Sequence, residues 1–285
     1  MSDFAGSTPN LSVILITKNE AHQLRQCLQS AAFADEIVVV DSGSTDGTPD
    51  LARSLGARVI EPTDWPGFGA QKQRALDAAR GAWILSLDAD EWLDDTLAAA
   101  VQAAVQTEPN DATPDDCGPV AFEVTRMSAF CGQWMRASGW FPDRGVRLWR
   151  RGVARFSTDL VHEHLDVKGR TLRLPGLLLH DSIPTLESAI DKMDRYSTGR
   201  ALDLHARGKH GGLGSAVGHG LWAFLRTFVF RRGFLDGKLG FVLAVHNAET
   251  TYYRYLKLWL LDSGRRSLPQ QPGPTVGQGD FGKQD

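Results

Sequence analysis

Cysteine is scarce. The 285 residues include Cys27, Cys117 and Cys131, an odd set without metal-ligand spacing. That argues against a disulfide framework and for a reducing compartment. No run of about 18 apolar residues occurs, so no transmembrane helix is expected. The opening MSDFAGSTPN lacks the basic-then-apolar order of a secretion signal, which makes the cytoplasm the expected location. The Gly/Ser-rich stretch GSTDGTP (43–49) matches neither G-x-G-x-x-G nor the P-loop G-K-[ST]. Dinucleotide dehydrogenases and P-loop phosphotransferases are thereby set aside. No nucleic-acid-binding module is recognisable, and no internal repeat.

Hydrophobic residues make up 42% and charged residues 23% of the chain, a globular balance with enough apolar material for one large domain or two small ones. The net charge of −3 is unevenly spread. Gly81–Gly118 holds nine acidic residues and no Lys or Arg, whereas Arg195–Arg266 holds twelve Lys/Arg against four Asp/Glu, or +8. The first stretch suits a cation and the second an anionic surface.

LSVILIT (11–17), EIVVVDS, RVIEP and WILSL (Trp83–Leu87) are aliphatic runs without polar alternation, the pattern of strands buried on both faces. Helices are expected between them: one capped by Asn19, one with Thr48 as N-cap and Pro49 at its first position, and one over Gln71–Arg80 ending at Gly81. Strand–helix alternation predicts right-handed crossovers and a mostly parallel sheet, with ligands beyond the carboxyl ends of its strands. The polar residues fall at those ends: Thr17, Lys18 and Asn19; Asp41 and Ser42; Asp88 and Asp90. VAFEVTRMSAF, GVRLWRRGVARF and TLRLPGLLLHDS read as further strands, the last ending at His180. From Pro184 the pattern turns helical, and after Ser263 it becomes a Pro/Gly/Gln-rich tail expected to be disordered. The expected organisation is a sheet domain over 10–183, a basic, aromatic helical extension over 184–262 and the tail over 263–285.

Asp88 and Asp90 stand two apart at a strand end, where neighbouring like charges are costly unless a cation holds them. Oxygen ligands there suit Mg2+ or Mn2+ completed by substrate phosphates; the alternative is a solvated strand-to-helix turn with Asp94 and Asp95 at the helix start. Asp41 suits a ribose or base edge. Asp46-Gly47 reads equally as a plain turn.

LSVILITKNEAHQLRQCLQS, EIVVVDSGSTDGTPDLARSLGARV and GFGAQKQRALDAARGAWILSLDADEWL together resemble the opening of family 2 GT-A glycosyltransferases. GWFPDRGVRLWRRG, VHEHLDVKG, LLLHDS, DKMDRYS and GFLDGKLGFVLA are similar to the bacterial branch that includes lipopolysaccharide-core glucosyltransferases. The resemblance covers roughly 10–262. It implies a Rossmann-like GT-A fold and an inverting, metal-dependent transfer of a hexose, glucose by preference. The donor would be a nucleoside-diphosphate sugar and the acceptor a saccharide, lipid-linked or of the lipopolysaccharide core.

The resemblance also implies roles. Thr17, Asn19 and Glu20 border the nucleotide, and Asp41 contacts the base. Gln71, Lys72 and Arg74 lie near the diphosphate. Asp88 and Asp90 form the D-x-D, with Asp90 the direct metal ligand and His180 a further one. Asp143, where Pro142 stands in place of a customary Glu, is the first candidate base; a turn acid after proline is the alternative. Glu163 is the second candidate, or a strand-edge ion pair. His162 and His164 read as structural histidines. Arg147, Arg150 and Arg151 suit phosphate or a solvated strand face. The aromatic C-terminal helices are either core helices or an interfacial surface placing Trp222, Phe224, Phe228, Phe230 and Phe234 in lipid and Arg226, Arg231 and Arg232 on anionic head groups. A peripheral place on the inner face of the cytoplasmic membrane follows from the second reading. Rival functions are a nucleotidyltransferase, disfavoured because TKNEAH lacks a Gly-rich basic loop, and a non-catalytic nucleotide-sugar-binding relative.

Overall fold

A computed structural model describes residues 9–106, 119–157 and 165–265. The chain divides into two compact units. One holds the described residues up to Arg126 together with Arg144–His180; the other holds Met127–Asp143 and Asp181 onward. The second division between the units falls after His180, and residues 127–143 group with the helices.

The first unit opens with β1 (Leu11–Thr17), α1 (Ala21–Ser30), β2 (Glu36–Asp41), α2 (Thr48–Ser54), β3 (Arg58–Ile60), α3 (Phe68–Ala78) and β4 (Trp83–Ser86). Short β5 (Glu91–Leu93) leads into α4 (Asp95–Val105); along the chain β6 (Ala121–Phe130), β7 (Gln133–Trp134), β8 (Asp143–Arg150), β9 (Ala154–Phe156), β10 (Leu165–Val167) and β11 (Thr171–Ile183) follow, with β7, the end of β6 and the end of β11 belonging to the second unit. Strands β3, β2, β1 and β4 pair in parallel in that order, with Thr17 opposite Asp41. Past β4 the sheet is mixed: β8 lies antiparallel to β4, then come β6, β11 and β5, with β11 antiparallel to β5 and β7 paired to β6.

Every residue of β1 is buried, and its side chains alternate between two cores as a period of two requires. Val13 and Leu15 join Leu24, Leu28, Val39 and Leu85 under α1 and α4. Ile14 and Ile16 join Val38, Val40, Ala75 and Ile84 under α3.

Several local expectations shift. Glu20, not Asn19, caps α1, because Asn19 adopts φ 58° and turns its amide to the next loop. Gly47, at φ 86°, takes the cap position of α2 and leaves Thr48 inside the helix. α3 ends at Ala78 with Ala79 as cap. Gly81 serves packing instead: a Cβ there would sit 2.5 Å from the Ser12 nitrogen. Asp94 does cap α4, accepting from the Leu97 N–H at 2.7 Å. Against that turn lies Gly176 of β11, at φ +92°, where a Cβ would meet the Leu97 nitrogen at 2.3 Å.

In the second unit α5 (Leu186–Ala206) starts with a Thr185/Ser188 capping box. α6 (Leu213–Leu225) runs into a π-turn (Arg226–Phe230) and a 3-10 turn (Gly233–Asp236), and α7 (Gly237–Asp262) closes the unit. Phe130, Met135, Ile183, Ala189 and Leu243 form its core. The Lys257 ammonium is buried but satisfied by Asp194, Ser197 and Thr198 at 2.7, 2.7 and 2.8 Å. No helix among the described residues is long and apolar enough to cross a membrane.

Candidate active site

The carboxyl ends of β1, β2 and β4 carry a continuous polar network. Asp41 is fully buried. One of its oxygens accepts from Thr17 Oγ1 at 3.0 Å and Ser44 Oγ at 2.5 Å; the other accepts from the Gly43 and Ser44 N–H groups at 3.0 and 2.8 Å. Asn19 reaches the same loop: its Oδ1 accepts from the Thr45 N–H at 2.8 Å, and its own N–H donates to Ser44 Oγ at 2.7 Å. The N–H of buried Glu20 donates to Thr48 Oγ1 at 2.9 Å. Asp46 accepts from Thr48 and from the Ala21 N–H, and these bonds hold its carboxyl below the ordinary range although desolvation pushes the other way. Thr17, Asn19, Glu20 and Asp41 therefore lace the first two loops into one rigid rim.

The third loop holds the acids. β4 ends at Ser86, so Asp88 and Asp90 sit in a turn between β4 and β5, and strand alternation does not govern them. They take different partners. Asp88 Oδ1 lies 3.1 Å from Lys72 Nζ on α3, and its Oδ2 lies 3.5 Å from Arg147 Nη2 on β8. Burial would raise the Asp88 carboxyl, but Lys72 and Arg147 overrule it and hold the group well below the usual range. Asp90 Oδ2 lies 3.2 Å from His180 Nε2, both side chains being buried. Burial alone would lower the His180 imidazole, yet Asp90 raises it.

The sheet makes this meeting. Antiparallel pairing of β11 with β5 sets His180 opposite Glu91, one residue from Asp90. β11 continues to Ile183, so His180 is an interior strand residue, not its last.

Two residues beyond the sequence expectation complete the cluster. Glu91 is fully buried and accepts from Arg147 Nη2 at 2.8 Å, Arg126 Nη1 at 3.2 Å and the Asp88 N–H at 2.9 Å. Burial and nearby Asp88 lift its carboxyl above the ordinary range against the pull of Arg147. Arg126 projects from β6, and a lone cation inside the apolar run AFEVTRMSAF was the available signal for it. Asp88 and Glu91 thus meet three cations, Lys72, Arg126 and Arg147, while Asp90 pairs with His180. The like charges that seemed to demand a metal are compensated by side chains.

Do these residues fit a divalent ion? Among the described residues, no group of three or more His, Cys, Asp or Glu is placed to hold one. The expected trio of Asp88, Asp90 and His180 is not assembled, because Asp88 is committed to Lys72 and Arg147. Asp90 and His180 do converge. Two ligands at about 2.1 Å from one octahedral ion lie about 3 Å apart, close to the 3.2 Å seen between them. A carboxylate oxygen beside an imidazole nitrogen suits Mn2+ or Mg2+, provided the ion draws further ligands from outside the protein.

Gln71 Nε2 donates to Ser42 Oγ at 3.1 Å, and Arg74 donates to Gln71 Oε1 at 2.6 Å and Asp64 Oδ2 at 3.0 Å. Arg150 stacks over the Trp83 ring at 4.5 Å, toward the start of β4 and away from the acids. Asp143 begins β8 and groups with the second unit. Glu163, His162 and His164 lie outside the described residues, as does most of the tail.

Residues 12–154 match the glycosyl transferase family 2. The chain is similar to the lipopolysaccharide core biosynthesis glycosyltransferase LpsC of Rhizobium meliloti, 31% identical over 86% of this chain and 93% of that protein. It is also similar to an uncharacterised glycosyltransferase of Rickettsia prowazekii, 28% identical over 87% of this chain and 86% of that one. Among solved structures, a Pyrobaculum calidifontis mannosyltransferase bound to GDP-mannose and Mn2+ aligns at 18% identity and TM-score 0.46, over 91% of this chain and 80% of that chain.

Proposed function

We infer the activity from one premise: the chain belongs to glycosyl transferase family 2. Within that family it is an inverting enzyme that moves a hexose, glucose by preference, from a nucleoside-diphosphate sugar to a saccharide acceptor. The likeness to a lipopolysaccharide-core enzyme supports a core or lipid-linked acceptor, which would bring the protein to the inner face of the cytoplasmic membrane.

The observation that carries this reading is the buried Asp90–His180 pair, 3.2 Å apart, beside the Lys72–Asp88–Arg147 clamp. Asp90 and His180 would hold Mg2+ or Mn2+, which when bound supplies positive charge to the leaving diphosphate. The chain's own residues do the rest. Lys72 and Arg147 present cations to the diphosphate while keeping Asp88 ionised. The rim of Thr17, Asn19, Glu20 and Asp41, with Gln71 and Arg74 nearby, seats the nucleotide. Asp143, or failing it Glu163, takes the proton from the attacking acceptor hydroxyl.

A thermal-shift screen of nucleotide sugars with and without Mn2+ tests the donor, since a ligand at a hundred times its Kd stabilises the folded state by about 2.7 kcal/mol. Nucleoside diphosphate release upon adding acceptor is the expected product. Pyrophosphate release would identify a nucleotidyltransferase, and neither transfer nor donor hydrolysis would leave a binding protein.

A further inference from the structure

We propose that the outer face of α6 and the turns that follow it form a docking surface for an anionic membrane. Leu213, Val217, Leu221, Leu225 and Val229 recur every four residues and are all between 37% and 60% exposed. Residues four apart share one side of a helix, so they form a single apolar stripe. Just beyond, Phe230 and Leu235 are 67% and 66% exposed. Of fourteen exposed large hydrophobics among the described residues, ten fall between Leu213 and Phe241.

The helix inverts the usual arrangement. Its inner face is small, with Ala216, Gly220 and Ala223 buried and Gly220 set against Tyr252 of α7. Its large side chains point outward, where a water-facing helix carries polar ones. Phe224 and Phe228 do not join that face. Their rings stack 5.6 Å apart and pack edge-on against Phe241.

Charge selects the occupant. Between 213 and 241 stand Arg226, Arg231, Arg232 and Lys238 against one acid, Asp236. Asp236 is buried and accepts from the Arg136 and Ala137 N–H groups and Ser138 Oγ. The stretch therefore carries +3. Two copies meeting through this face would oppose like charges, whereas anionic head groups complement it. An apolar stripe flanked by basic residues on a helix unable to cross a bilayer is the signature of a segment lying in the interface. This deepens the lipid-linked-acceptor reading, but vesicle binding is read without acceptor or sugar transfer.

The full chain is floated with vesicles of phosphatidylcholine alone or with about one-third phosphatidylglycerol. Binding is expected to the anionic vesicles and to weaken as salt shortens the screening length. Leu221→Glu with Phe230→Glu should abolish it. Arg232→Glu with Lys238→Glu should cut it by at least about tenfold, at roughly fivefold per basic residue near the surface. These side chains are exposed, so circular dichroism and donor-sugar thermal shifts should stay at wild-type values and report separately on folding and on the enzymatic reading. Wild-type chain that ignores anionic vesicles overturns the proposal, and so does binding that survives the Leu221/Phe230 pair. A dimer in velocity sedimentation that this pair dissociates would likewise assign the face to a second copy.

Discussion

Two buried acidic sites stand at opposite ends of the same parallel strands. At the amino end Glu36, the first residue of β2, accepts from Ser12 Oγ at 2.6 Å, the Arg80 N–H and Nε at 2.9 Å each, and Arg58 Nη2 at 3.0 Å. One acid is saturated there by four donors, three of them from two arginines whose side chains keep much of their surface in water. At the carboxyl end three acids within four residues share three cations and an imidazole. Glu36 is driven one way, down to about 2. In the carboxyl-end cluster Asp88 goes down and Glu91 up. A saturated acid clamps a strand end; carboxylates pushed in opposite directions at strand ends mark chemistry. The neighbourhood decides the difference, since the acids themselves are alike.

The largest expected effect tests that division directly. Asp90→Ala should lower kcat/KM for sugar transfer by about 10²–10³-fold, the scale of removing one electrostatic contact in a transition state. Glu36→Gln should leave it within about twofold. Nucleoside diphosphate release measures both, and near-normal transfer by the Asp90 variant would erase the contrast.

Next in size is a stability effect inside the carboxyl-end cluster. Arg126→Ala leaves Glu91, which has no exposed side-chain surface, with Arg147 as its one remaining cation. Removing one partner of a buried ion pair costs about 3–5 kcal/mol, and Arg147 should hold the loss near the lower figure in urea unfolding.

Glu36→Gln should cost about 2–3 kcal/mol at pH 7, from 1.36 kcal/mol per pKa unit discounted for the exposed arginines. The sign follows from a carboxyl lowered from 4.5 to about 2 on folding. Its contribution is fully present above pH 4.5 and is lost as pH falls from there toward 2. The variant should therefore show a flatter acid limb over that window.

The parallel half of the sheet is a local fact, and the sequence carries it well. The aliphatic runs of β1, β2 and β4 state their own burial, and the D-x-D announces itself at a strand end. What completes the cluster is not local. Arg126 and Arg147 reach Glu91 from 35 and 56 residues away, and His180 reaches Asp90 from 90. The family resemblance pointed to His180, but no periodicity could say that Arg126 and Arg147 would neutralise the acids, because that depends on which strands the mixed half sets side by side. Caps were misplaced for a different reason. Asn19 and Gly47 adopt positive φ to join two loops, and that demand outweighed ordinary capping preference.

The smallest effect asks whether the carboxyl-end cluster is held by packing or only by charge. Cys27 of α1 is buried beneath it, and its Sγ donates to the Asp88 carbonyl at 3.4 Å. Burial first, then the charges of Glu91, Asp90 and Asp88, push the thiol well above its ordinary value. A thiol held neutral in a closed site should resist alkylation at pH 8 in the folded protein and react once urea opens the chain. Cys27→Ala removes one sulfur from a packed core and a weak hydrogen bond, a loss of about 1 kcal/mol. If the ion pairs alone position Asp88 and Asp90, transfer should stay within about twofold of wild type. A tenfold loss of kcat at unchanged donor affinity would show instead that α1 positions the acids from below, making the carboxyl end as dependent on its support as the Glu36 clamp is on Ser12.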